Sequence, residues 1–205
     1  LSLLTCFQQS IMNFGILMVQ GLVNSFGAAT MAAFAAAVKI DSFAYSPVQD
    51  FGNAFSTFVA QNHGAGQTAR IRKGFRSALL AVLIFCAVIS LGVCLFAPAL
   101  MQIFVSAEEA EIIAIGVGYL HIEGACYFGI GLLFLFYGYY RAVQKPGMSV
   151  VLTILSLGTR VALAYALSAL PGVGVTGIWL SVPIGWALAD LVGALYYFKF
   201  KSTLQ

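Results

Sequence analysis

Five ionisable side chains, Lys39, Asp41, Glu123, Arg160 and Asp190, interrupt stretches of sequence that are otherwise apolar. A charge in hydrocarbon is costly unless it is paired or hydrated, so such groups mark ion pairs, proton relays or substrate paths. Two cations facing three carboxylates leave one carboxylate over. A desolvated carboxylate without a cation favours its neutral form, and it can then carry a proton. Arg160 and Asp190, on consecutive apolar runs, are the expected pair. Lys39 then takes Asp41 or Glu123, and Glu123 or Asp41 is the expected proton carrier. The competing expectation is a static network of all five that holds helices in register.

The elements that must position these groups follow from composition. Charged residues make up 8% of the chain and hydrophobic ones 61%, and the mean hydropathy is +0.96. A soluble domain carries about 25% charged residues, so the solvent here is lipid. A hydrocarbon layer about 30 Å thick needs roughly 20 apolar residues per helix. Six runs meet that length, at approximately 8–26, 28–62, 78–104, 112–140, 148–170 and 176–198. The fold class is therefore all-α, a polytopic membrane protein of six transmembrane helices. At about 1.5 Å per residue, the five charges fall roughly 14 to 20 Å below the outer ends of their helices, which makes one layer near the bilayer centre.

Orientation comes from the remaining basic residues. Arg70, Arg72, Lys73 and Arg76, then Arg141 and Lys145, then Lys199 and Lys201 are separated from one another by pairs of apolar runs. An even number of crossings puts all of them on one side, which the excess of Lys and Arg in cytoplasmic loops makes the cytoplasmic side. The segment is expected in the cytoplasmic (inner) membrane with both ends inside, and Glu108, Glu109 and Glu111 on a solvated outer loop. The net charge of +3 reads as orientation and gives no sign of a nucleic-acid partner. The opening Leu-Ser-Leu-Leu has neither an initiator Met nor a signal-peptide pattern, and the chain is expected to be part of a longer one.

Breaks have local causes. Ser25-Phe26-Gly27 makes a turn, Gly64-Ala65-Gly66 ends a helix, and Pro146-Gly147 and Pro171-Gly172 block continuation. Much of the Gly, 21 residues in all, lies within the runs, where small residues let membrane helices approach closely. Pro47, Pro98 and Pro183 are expected to kink their helices. Tyr139, Tyr140, Tyr196 and Tyr197 suit an interfacial belt.

Polar side chains within or beside the spans, Asp50, Asn53, Gln20, Asn24 and Tyr127, are candidates for a cavity or gate. Cys6, Cys86, Cys94 and Cys126 read as small hydrophobes, and His63 and His121 lack partners at metal-ligand spacing. No HExxH, GxSxG or phosphate-binding motif occurs. Neither catalysis, a cofactor nor a bound metal is expected.

Two stretches resemble a known family. The first is Val48-Gln49-Asp50-Phe51-Gly52-Asn53-Ala54-Phe55-Ser56-Thr57, continued by Ala60-Gln61-Asn62-His63-Gly64-Ala65-Gly66 and the basic Arg70-Ile71-Arg72. The second is Gly138-Tyr139-Tyr140-Arg141-Ala142-Val143-Gln144-Lys145-Pro146. Both are similar to segments of the multidrug and toxic compound extrusion (MATE) transporters, and the similarity extends along nearly the whole chain. Members have two six-helix lobes related by a pseudo-twofold axis. The resemblance implies that residues 1–205 are the carboxy-terminal lobe, with the amino-terminal lobe as its partner. It also implies efflux of lipophilic or cationic drug-like compounds in antiport with protons or sodium, by alternating access. Sodium-coupled members carry acidic residues in the first and fourth helices of this lobe. Met12 or Asn13, and Ile130 or Gly131, stand at those places here, so the sodium site does not carry over and protons are favoured.

Two other readings compete. A flippase for lipid-linked saccharides would share the fold but needs a cavity richer in cations. A membrane scaffold or channel subunit without coupled transport would need the charge layer to be fully paired.

Overall fold

The computed structural model describes the backbone of residues 2–203, with the side chains of 1–5, 7 and 200–205 left aside. Lys201 and the leading Leu1, Ser2, Leu3 and Leu4 side chains thus lie outside the described residues. Seven helices follow one another: α1 (Ser2–Asn24), α2 (Ala28–Gly64), α3 (Thr68–Gln102), α4 (Ala110–Gly124), α5 (Tyr127–Ala142), α6 (Pro146–Ser168) and α7 (Val175–Thr203). No strand occurs among the described residues.

α3, α6 and α7 are each long and apolar enough to cross a membrane, and α4 with α5 makes a fourth such unit. α1 and α2, of 23 and 37 residues, carry more polar residues along their length. The 112–140 run, read from sequence as one span, is two helices bent by 51°. The backbone changes course after Gly124, where the Cys126 N–H donates to Glu123 O at 2.9 Å in a tighter turn. Gly116, Gly118, Gly124, Gly129 and Gly131 weaken the helix on both sides of that point. α3 begins at Thr68, ten residues before the apolar run that marks it, so Arg70, Arg72, Lys73 and Arg76 belong to its first turns.

Turn chemistry explains the other ends. Gly27, at φ 102°, precedes α2, and Gly66 and Gly172, at φ 68° and 83°, occupy the left-handed region after α2 and α6; such positions favour Gly. Pro146 opens α6 at its first turn, where a missing N–H costs nothing. Pro47, Pro98 and Pro183 all lie inside continuous helices.

α3 shows which solvent the outside meets. Leu80, Ile84, Val88, Leu91 and Leu95 form an exposed stripe, while Ala78, Val82, Cys86, Val93 and Ala97 are buried. The side facing out is thus the bulkier and more apolar one, the reverse of a water-soluble helix.

The core centres on α5, which is buried almost continuously from Leu133 to Tyr140 and touches α2, α3, α6 and α7. Its approach to α2 is backbone on backbone. A methyl group on Gly52 would sit 2.9 Å from Phe134 O, and one on Gly138 would run into Gly52 O. α6 and α7 pack most extensively of all pairs, and Gly185 lets them meet, since a methyl there would be 2.5 Å from Ser156 O. The Tyr140 hydroxyl donates to Gly193 O at 2.5 Å, tying α5 to α7. α1 lies mainly against α6, where buried Gln8 donates to the Thr153 hydroxyl at 2.8 Å.

Candidate functional site

Asp41 is at the middle of α2 on its buried face, 4% exposed. Two phenols reach it from opposite sides of the α4–α5 bend. The Tyr119 hydroxyl of α4 donates to Oδ2 at 2.6 Å, and the Tyr127 hydroxyl of α5 donates to Oδ1. A single carboxyl group therefore holds both halves of the broken unit to α2. Tyr119 is itself fixed by edge-on packing against Phe34 and Trp179, at centroid distances of 5.7 and 4.9 Å.

Glu123, one turn beyond Tyr119 and on the same face, is 1% exposed. Asp41 and Tyr119 stand within reach of its carboxyl group, but neither of its oxygens makes a well-formed hydrogen bond. Its electrostatic neighbours are Asp41 and Arg160. Arg160, from α6, also acts on Asp41, and its Nε is buried without a partner. The cluster thus holds two carboxyl groups and one guanidinium.

This cluster of three is smaller than the expected layer of five, and it is connected differently. Lys39 is exposed, its ammonium group 5.6 Å above the Phe104 ring, and it pairs with neither Asp41 nor Glu123. Residues two apart on a helix point about 200° apart, so burying Asp41 turns Lys39 outward. Arg160 and Asp190 form no ion pair among the described residues. Gly185 is an α7 residue that faces Arg160, since a methyl group there would be 3.4 Å from the Arg160 Cβ, and Asp190 lies about 140° further round that helix. Asp190 is buried beside Gly129 and Trp186 with Oδ1 unpartnered.

A cavity of about 250 Å³ opens over the cluster. Gln20 of α1, Phe34, Asp41, Ser42 and Tyr45 of α2, Tyr119 of α4 and Arg160 of α6 line it. Of the candidate gate residues, Gln20 therefore lines the cavity and Tyr127 binds a lining residue. Asn53 is elsewhere, accepting a hydrogen bond from Arg141 Nη2 at 2.9 Å. Asp50 and Asn24 are exposed and are not among the residues that line the cavity. Glu108, Glu109 and Glu111 are exposed at the α3–α4 turn, and Met12, Asn13, Ile130 and Gly131 supply no carboxylate.

Sequence reasoning passed over Tyr119 and Tyr45. The available signal was a tyrosine four residues before Glu123, deep in an apolar run, where an interfacial role makes no sense. A phenol there needs a buried acceptor, and Asp41 provides one. Among the described residues no three His, Cys, Asp or Glu side chains come together as a metal site would need.

Comparison with known proteins agrees with the earlier resemblance. The family model for MatE matches residues 4–166. The "Probable multidrug resistance protein YpnP" of Bacillus subtilis is 28% identical over 192 residues, which is 93% of this chain and 42% of that protein. The "FAD transporter" of Shewanella oneidensis is 27% identical over 169 residues, 82% of this chain and 36% of its own. The chain thus spans about two fifths of the length of these relatives. Among solved structures, a MATE in complex with MaL6 superposes with a TM-score of 0.93 at 19% identity, covering 100% of this chain and 46% of that one. A MOP-superfamily transporter from Pyrococcus furiosus gives 0.91 at 20%, covering 98% and 45%. With the family matched over most of its length and its whole fold superposing on a little under half of a MATE transporter, the chain is a multi-pass membrane protein that belongs to the MatE family.

Proposed function

We propose that this chain is the carboxy-terminal lobe of a secondary multidrug efflux transporter. It would work with an amino-terminal lobe by alternating access and export drug-like compounds in antiport with protons. The observation that carries the coupling is the Glu123 carboxyl group, buried with both oxygens unpartnered beside Asp41 and Arg160. Two carboxylates around one guanidinium leave a negative charge that one proton neutralises, and lipid has no other counter-ion to offer. Gaining and losing that proton changes what Glu123 and Asp41 require of Tyr119, Tyr127 and Arg160. A proton binding site is thereby linked to the packing of α2 against the α4–α5 bend. The cavity over the cluster has the aromatic and apolar lining that lipophilic drugs need. Its place is the cytoplasmic (inner) membrane, with the basic helix ends inside.

Efflux of a fluorescent lipophilic cation tests the reading, in cells expressing the complete transporter under an imposed proton or sodium gradient. Glu123→Gln is expected to abolish proton-driven efflux while the protein still reaches the membrane. Wild-type efflux matched by the variant would remove Glu123 from the coupling machinery.

A second reading of the substrate has specific support. Among the described residues Arg160 is the only cation lining the cavity, and a relative is named an FAD transporter. An organic anion would find a partner in that guanidinium. Competition between a cationic dye and a flavin nucleotide in the same efflux assay separates the two.

A further inference from the structure

A second polar hollow lies at the opposite end of the helices from the acidic turn, where the basic stretches are. The last turn of α2, the first turns of α3, the end of α5 and the later turns of α7 enclose about 30 Å³, on the order of two or three water positions. His63, Thr68, Arg72, Tyr139 and Tyr197 supply its polar walls. Each of the five can donate a hydrogen bond, and none is acidic.

The hollow is rigid where it needs to be. Tyr139 and Tyr197 are 4% and 9% exposed, packed edge-on at 5.1 Å, with Tyr197 stacked on Phe75 at 4.6 Å. Neither phenol hydroxyl nor the Arg72 guanidinium has a hydrogen-bond partner among the described residues. Arg72 and Arg76 both act electrostatically on Tyr197. Among the described residues, no carboxylate pairs with these cations. The nearest acidic residues along the lining helices are Asp50, thirteen residues before His63, and Asp190, seven before Tyr197, or roughly 20 and 10 Å away along the axes.

We propose that this hollow binds the phosphate group of an anionic ligand. Its volume admits the unesterified oxygens of a phosphate and excludes an organic body, which must stay outside against the helix ends. Arg72 forks across two oxygens, the geometry guanidinium groups adopt on phosphate, while Tyr139, Tyr197 and Thr68 donate to the rest. Phosphate can arrive here as the headgroup of a phospholipid or as a free phosphate compound. Basic hollows between membrane helices at the interface take lipid headgroups by this chemistry.

Native mass spectrometry of the intact, delipidated protein in detergent tests the proposal. Phosphatidylglycerol is titrated in one arm, and glycerol 3-phosphate and inorganic phosphate in the other. The wild type is expected to hold one adduct. Arg72→Ala should weaken it about tenfold, as loss of a charge-assisted hydrogen bond predicts. Tyr197→Phe keeps the ring packing and should weaken the adduct by a smaller factor, so the test survives if Arg72→Ala folds poorly. Arg70→Ala removes an equal charge outside the hollow and should change nothing. An adduct confined to phosphatidylglycerol identifies a lipid as the source, and one with the soluble phosphates identifies a free ligand; both sustain the site. Absence of an adduct in the wild type, equal binding by Tyr197→Phe and wild type, or equal losses at Arg70 and Arg72, would overturn it.

Discussion

Asp41 and Asp190 are both carboxylates near the middle of long helices, and burial leaves them 4% and 8% exposed. Asp41 accepts two phenol hydroxyls and shares the field of Arg160. Asp190 leaves one oxygen bare and has no ion-pair partner among the described residues. Equal depth has produced one group that joins three helices and one that joins none. The cause is rotational phase: Asp41 points at the α4–α5 bend, whereas Asp190 points away from the only guanidinium on the neighbouring helix.

The sharpest way to break that contrast is Asp41→Ala. It strands the hydroxyls of Tyr119 and Tyr127 in a dry core, at about 1–3 kcal/mol each. Thermal unfolding in detergent should therefore show the largest loss of stability of any change at these sites. Tyr127→Phe and Tyr119→Phe each remove one donor and leave Asp41 the other, so each is expected to cost about 1 kcal/mol. A double-mutant cycle should find them non-additive, because both act through one carboxyl group. Asp190→Asn sharpens the comparison from the other side. With no cation to lose, it is expected to be neutral or to stabilise slightly, by less than about 1 kcal/mol in the same unfolding assay; a loss as large as that of Asp41→Ala would mean that Asp190 has a partner after all. The smallest effect belongs to Lys39→Gln. It removes only an exposed contact with the Phe104 ring, on the order of 0.5 kcal/mol, and should leave proton-driven efflux intact.

Much of the fold can be read from the chain. Apolar runs longer than a bilayer's thickness announce the helices, and Gly27, Gly66 and Gly172 stand where positive φ angles turn the backbone. The bend after Gly124 was hidden because hydropathy stays high across it, and no proline marks the place. The start of α3 was hidden for the opposite reason: hydropathy ends where Arg76 begins, but a helix can continue into water. At the candidate site, the presence of buried charge was legible, whereas its pairing was not. The two-residue spacing of Lys39 and Asp41 already forbids their sharing a face. The separation of Arg160 from Asp190 depends on which side α7 turns toward α6, and Gly185 decides that through a backbone contact no charge pattern encodes.

The contact of Gly52 with Gly138 has a mechanical consequence. Two helices touching through their main chains, with no side chain between them to change rotamer, have almost no play: sliding or rolling one against the other drives carbonyl oxygen into Cα. α2 and α5 must consequently travel as a single strut, and the Asp41 bonds clamp α4 to the same strut. α1 rests chiefly on α6, without any such joint to α2. If this half of the molecule flexes, the compliant member is α1, and the wall of the cavity that Gln20 contributes is the one that shifts.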